Sequence, residues 1–219
     1  MSYSRQGPSA RYVALINMYR DLHLHGESSY RIPAKNTFDG RSLPKEAVKI
    51  KRLIERTGAR TILDYGSGKG RQYGALPTVI ENEGKWDSIV AYWGVDAVSC
   101  FDPAYPPYSA LPSGTFDGVV STDVLEHCPE EDIDWILREI FGYADRFVYL
   151  AIACYPATKQ LPNGENAHCT IRPPEWWQRM LEQAAATRPG VSWEAWLELG
   201  EGHESNLVRL RGGELFGAR

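Results

Sequence analysis

Residues 61–70 read Thr-Ile-Leu-Asp-Tyr-Gly-Ser-Gly-Lys-Gly. The apolar start of this run predicts a buried parallel strand over Thr61–Tyr65. The alternating glycines then predict a sharp turn whose backbone can lie close to a ligand, since no Cβ intervenes. Asp64 falls at the carboxyl end of that strand. In open α/β sheets, ligands bind at that end.

The spacing of the loop separates three nucleotide-binding patterns. A Walker A loop needs Gly-x-x-x-x-Gly-Lys-Ser/Thr. Here Lys69 is followed by Gly70 and Arg71, so no hydroxyl is placed for magnesium. A dinucleotide fingerprint needs Gly-x-Gly-x-x-Gly. Arg71 occupies its last glycine position, which weakens that pattern without excluding it. The remaining pattern is Asp64-x-Gly66-x-Gly68-x-Gly70. A second run, Leu111-Pro through Phe116-Asp-Gly-Val and on to Leu125-Glu-His127, lies downstream.

These two runs, in this order, resemble the class I S-adenosylmethionine-dependent methyltransferases. The resemblance spans roughly residues 40–211. It implies a Rossmann-like three-layer α/β sandwich, its sheet mostly parallel with an antiparallel terminal hairpin strand. It also implies S-adenosyl-L-methionine as cofactor. By the same resemblance, Asp64, Tyr65, Gly66, Ser67, Gly68 and Gly70 hold the methionine part. Ala110 and Leu111 border the adenine, and Thr122 and Asp123 lie beside the sulfonium.

The rest of the chain reads consistently with such a fold. A helical pattern surrounds Ala14–Leu22. Ser42 and Pro44 open a helix whose stripe is Ala47, Ile50, Leu53 and Ile54, with Gly58 beyond its end. Gly74 and Pro77 interrupt any helix after the glycine loop. A second strand is expected over Ile89–Asp96, then a proline-rich loop over 99–114. Phe116–Thr122 reads as a strand, and Pro129 opens a helix with its acids at the positive end of the dipole. Phe147–Ile152 is a further strand, Pro174–Ala186 a helix, and Trp193–Leu199 and Asn206–Leu210 a closing pair. Alternating strands and helices imply a parallel sheet with crossovers. One domain over 43–219, preceded by a cap or lid over 1–42, fits a chain of 219 residues.

Asp96 and Ala97 complete the expected cofactor set. Asp96 ends the expected second strand, where an acid can accept both ribose hydroxyls. The stretch 81–87 reads as an insertion that lengthens its spacing from Gly68. Tyr105 and Tyr108 either stack on the base or cover the core. Asp102-Pro-Ala-Tyr105 resembles the Asn/Asp-Pro-Pro-Tyr motif of amino-methylating enzymes. It lies too early in the chain, so the similarity reads as accidental.

The catalytic candidates are Asp123, His127 and His168. His127 either accepts a proton from the methyl acceptor or only shapes its loop. His168, with Asn163 and Asn166, gives a polar cluster suited to a hydroxylated small molecule, and Trp176 and Trp177 offer a cavity wall. His23 and His25 read as solvated. Phe38–Ser42 reads as a lid, from which Arg41 could meet an acidic group. His127-Cys128, Cys154 and His168-Cys169 would need distant loops to converge, so no metal site is expected.

A net charge of −4 supplies no global field for nucleic acid. The basic run from Lys45 to Arg60 reads as a solvated helix face. No apolar run reaches the ~20 residues of a membrane span. A polar start and four cysteines fit reduced thiols in a cytoplasmic protein. The expected activity is methyl transfer to oxygen or nitrogen of a small polar metabolite. A dinucleotide-dependent oxidoreductase and a non-catalytic cofactor-binding module are the alternatives.

Overall fold

Five parallel strands and one antiparallel edge strand form the central sheet, with helices packed on both faces. A computed structural model describes residues 3–40, 42–74, 77–200 and 206–216 of the chain. Helix α1 spans Ala10–His25 and α2 spans Leu43–Thr57. Strand β1 is Thr61–Tyr65, as its sequence predicts. A two-stranded hairpin follows, β2 at Thr78–Ile80 and β3 at Gly84–Trp86, outside the main sheet. Then come α3 at Ile89–Trp93, β4 at Ala97–Phe101 and β5 at Phe116–Thr122. Helix α4 covers Ile133–Tyr143, β6 Ala144–Ala153 and α5 Pro174–Ala185. Strands β7 at Ser192–Glu198 and β8 at Leu207–Gly212 close the sheet.

The strand order is β4-β1-β5-β6-β7-β8, with only the β7–β8 pair antiparallel. Residues 201–205, which join that pair, lie outside the described residues. Along β6 the two-residue period divides the core. Phe147, Tyr149 and Ala151 pack with α2 and α3, whereas Val148, Leu150 and Ile152 pack with α4 and α5. Both faces of β6 are therefore covered, which is why its sequence is a continuous apolar run.

One expected strand is a helix. Ile89–Trp93 forms α3, whose N-cap Ser88 accepts from Ala91 N–H at 3.1 Å and whose C-cap Gly94 is left-handed. A serine cap and a glycine stop bracket the segment, and they override its β-branched start. The strand is displaced to Ala97–Phe101, whose last three residues fall in the stretch expected to be loop. Before α4, Glu130–Asp132 is a 3-10 turn rather than part of the helix. Buried Asp132 there accepts from Ser9 N–H (3.0 Å) and from Trp135 Nε1–H (2.7 Å). It anchors the N-terminal segment, and Arg5 adds a salt bridge to Glu139 and a bond to Tyr65 Oη. No helix of the described residues is long and apolar enough to cross a membrane.

Candidate functional site

Strand β1 lies between β4 and β5, so the connections leaving its neighbours' carboxyl ends diverge and leave a crevice. A cavity of about 420 Å³ occupies it, within the ~300–1,000 Å³ range of small-molecule sites. Its floor is built from Asp64–Gly68 after β1, Asp102–Ala104 after β4 and Thr122–Val124 after β5. Helix α1 and Phe38–Gly40 cover it, contributing Tyr19 and His23 among others. Residues 38–40 of the expected lid line the cavity, and Arg41 lies outside the described residues.

The glycine loop is tightly held. Gly66 N–H and Ser67 N–H both donate to Phe101 O, at 2.7 and 3.1 Å. Gly68 N–H donates to Asp102 Oδ2 at 2.9 Å, Lys69 N–H to Phe38 O at 3.1 Å and Gly70 N–H to Ser67 O at 3.1 Å. Five successive donors are therefore satisfied within the protein. A phosphate-binding loop needs such donors free for its anion.

Carboxyls dominate the cavity wall. Among the described residues, Asp39, Asp64, Asp102 and Asp123 line it, against one ammonium, Lys159, which pairs with Glu27 at 3.3 Å. Asp64 is 3 % exposed. Its Oδ2 accepts from Tyr73 Oη–H (2.8 Å) and Gln72 Nε2–H (3.0 Å). Burial outweighs those bonds and pushes its carboxyl up to about 7. Burial likewise raises Asp102 to about 6, although Gly68, Ala104 and Tyr105 N–H groups all donate to it. Desolvated carboxyls of this kind favour a ligand that brings positive charge.

Several expected site residues stand elsewhere. Asp96 precedes β4 instead of ending a strand. It pairs with exposed Arg60 at the opposite end of the sheet from the cavity, and Ala97 starts β4 there. The acid at the carboxyl end of β4 is Asp102, in the Asp102-Pro-Ala-Tyr105 run. Ala110 and exposed Leu111 do not line the cavity. Tyr105 stacks on His23, with ring centroids 4.9 Å apart, and Tyr108 packs against Gly70.

His23 is buried, not solvated, beside Lys69 Nζ at 3.0 Å. Burial, with the Lys69 charge, depresses its imidazole to about 3. Trp177 is in the core, packed edge-on against Trp176 away from the cavity. Asn166 braces its own loop by accepting from Ala157 and His168 N–H groups, and Asn163 caps Glu165 N–H. These asparagines shape the loop that presents His168.

Thr122, Asp123 and His127 line the cavity. Asp123 has φ +55°, a left-handed conformation that aspartate tolerates better than most residues. His127 Nδ1 lies 2.9 Å from Ala167 O, so it carries the hydrogen, and Tyr19 Oη is 2.8 Å from the same nitrogen. Burial and neighbouring His168 lower His127 to about 4. Its imidazole is neutral but a weak base. His168 stands edge-on behind it at 4.9 Å, and Glu126, raised by burial to about 8, completes a cluster whose ligand-type atoms lie within 4.8 Å of one another. The distant loops do converge, because Cys169 and Thr170 N–H groups both donate to Glu126 O. Sequence spacing carried no sign of that junction.

The scan against protein-family models returns no match, and the search of curated proteins returns none.

Proposed function

We propose that this chain is an S-adenosylmethionine-dependent methyltransferase acting on a small polar acceptor. The observation that carries the reading is an acid-lined crevice at the carboxyl ends of β1, β4 and β5 whose glycine-loop N–H groups are already engaged. A pyrophosphate would find neither free donors nor favourable charge there. A ligand bearing an ammonium and a sulfonium meets four carboxyls. The residues therefore fit S-adenosylmethionine and disfavour a dinucleotide.

In this reading Asp64 holds the ligand's amino group, and the glycine loop accommodates its chain. Asp102, at the end of β4, replaces Asp96 as the acid nearest the ribose. When bound, the cofactor supplies an electrophilic methyl group. Thr122 and Asp123 orient the reacting groups, while Tyr19, His127 and Cys128 bound the acceptor's side. Helix α1 and Phe38 exclude water. Positioning and desolvation account for most of such catalysis, since the leaving group is already activated.

Calorimetry tests the reading directly. S-adenosylmethionine and its demethylated product are expected to bind one per chain, and NAD not at all. Asp102→Asn should weaken binding at least ~10-fold, about 1.4 kcal/mol, whereas Asp96→Asn should leave it within about twofold. NAD binding in place of the sulfonium ligand would overturn the proposal. A larger loss from Asp96→Asn would overturn the assignment of Asp102.

A further inference from the structure

We propose that Glu126, His127 and His168 bind one divalent transition-metal cation at the cavity wall. Two imidazoles and a carboxylate offer ligand atoms within 4.8 Å of one another. A cation with bonds of ~2.0–2.2 Å draws such atoms together by small side-chain rotations.

Each histidine is pre-set as a ligand. The Nδ1–H of His127 donates to Ala167 O at 2.9 Å, and that of His168 to Tyr155 O at 2.6 Å. Both tautomers are thereby fixed with the lone pair on Nε2. Metal-ligating histidines characteristically use a backbone carbonyl or carboxylate in this way.

Glu126 supplies the independent sign of a missing partner. Its side chain is fully buried. Oε1 accepts from Ala153 N–H at 3.0 Å, but Oε2 has no hydrogen-bond partner. A buried oxygen left in that state costs free energy unless something fills its acceptor role. A cation does so. Asp123 and Glu198 act on Glu126 electrostatically, and their negative field favours a positive occupant.

The donor set selects the metal class. Two nitrogens and a carboxylate oxygen suit zinc, manganese, iron or cobalt better than calcium. Among the described residues, no thiol joins the group whose ligand atoms lie within 4.8 Å of one another. Three protein ligands leave a further coordination position open, as in catalytic zinc sites. Because His127 lines the cavity, an acceptor hydroxyl can take that position, where ligation makes it more acidic. This last role rests on the methyl-transfer reading; the metal site does not.

The test uses the full chain after chelator treatment and dialysis. Co²⁺ is titrated in and followed by visible absorption, with Zn²⁺ measured by competition and S-adenosylmethionine binding measured in parallel. One ion per chain is expected. Glu126→Gln keeps the bond to Ala153 N–H, and His168→Gln removes the second imidazole. Each should weaken metal binding by more than ~100-fold, beyond the 10–100-fold typical of outer-shell changes. Circular dichroism confirms that both variants fold.

Failure of the parent chain to bind Co²⁺ overturns the proposal. So does equal affinity in both folded variants, or a thiolate-to-cobalt charge-transfer band that Cys128→Ser or Cys169→Ser removes. Stoichiometric metal binding without S-adenosylmethionine binding would support the metal site and sink the methyltransferase reading.

Discussion

Asp64 is a buried carboxyl whose hydrogen-bond donors are two neutral side chains. Burial raises it to about 7, so the folded chain holds a proton that the unfolded chain releases above about 4. Its contribution therefore favours folding most below the unfolded pKa. It falls as pH rises towards 7 and is constant above. Asp64→Asn removes this penalty. Its stability relative to the parent should grow by roughly 2–3 kcal/mol between pH 5 and 8, at ~1.4 kcal/mol per unit where only the unfolded chain is ionised. Chemical denaturation across that range measures it, and a constant difference would refute the burial argument. His127 shows the same force with the opposite sign of charge. Burial keeps its imidazole neutral and a poor proton acceptor.

At the scale of elements, the glycine loop depends on space as much as on backbone angle. Gly66 has φ +88°, and a Cβ there would stand 2.3 Å from Val124 Cγ2. Gly94, the C-cap of α3, has φ +68° but open space around it. Gly94→Ala should cost only the left-handed penalty, ~1–2 kcal/mol. Gly66→Ala should cost a further ~1–3 kcal/mol from overpacking. Adding Val124→Ala should recover part of the second loss and none of the first. Thermal melts of the four variants check this, and equal losses at the two glycines would contradict it. Helix α3 gives the complementary lesson. Its five residues, Ile89–Trp93, contain a β-branched start, and only the flanking Ser88 and Gly94 announce a helix. Short apolar runs do not distinguish strand from helix by periodicity, so the caps decide.

Over the whole molecule, the N-terminal segment is fastened to the α4 side of the sheet, and α1 lines the cavity. Asp132 is the main tether, accepting from Ser9 and Trp135. Asp132→Ala strands those buried donors and should cost ~2–4 kcal/mol. It should also weaken ligand binding, because α1 carries Tyr19 and His23 to the site. Asp134→Ala, which breaks only an exposed i,i+4 pair with Arg138, should cost under ~0.5 kcal/mol. Denaturation and calorimetry on both variants test the tether. Equal effects would show that α1 is held by its apolar contacts instead.

The amino-acid sequence by itself determined the sheet and the binding end. The strands at 61–65 and 116–122 and the helix stop at Gly58 are local consequences of apolar runs, caps and glycine backbone freedom. Asp64, Asp123 and His127 were legible as cavity residues because each lies at or shortly after a strand end in the chain. Three matters needed tertiary structure. Asp102 replaced Asp96 at the site because the β-strand register shifted when α3 formed. His23 came to the cavity through the packing of α1, which no local spacing encodes. The Glu126–His127–His168 cluster arose from backbone hydrogen bonds joining two loops some forty residues apart in the chain. Each of the three is a through-space contact fixed by packing, and sequence adjacency carries no record of it.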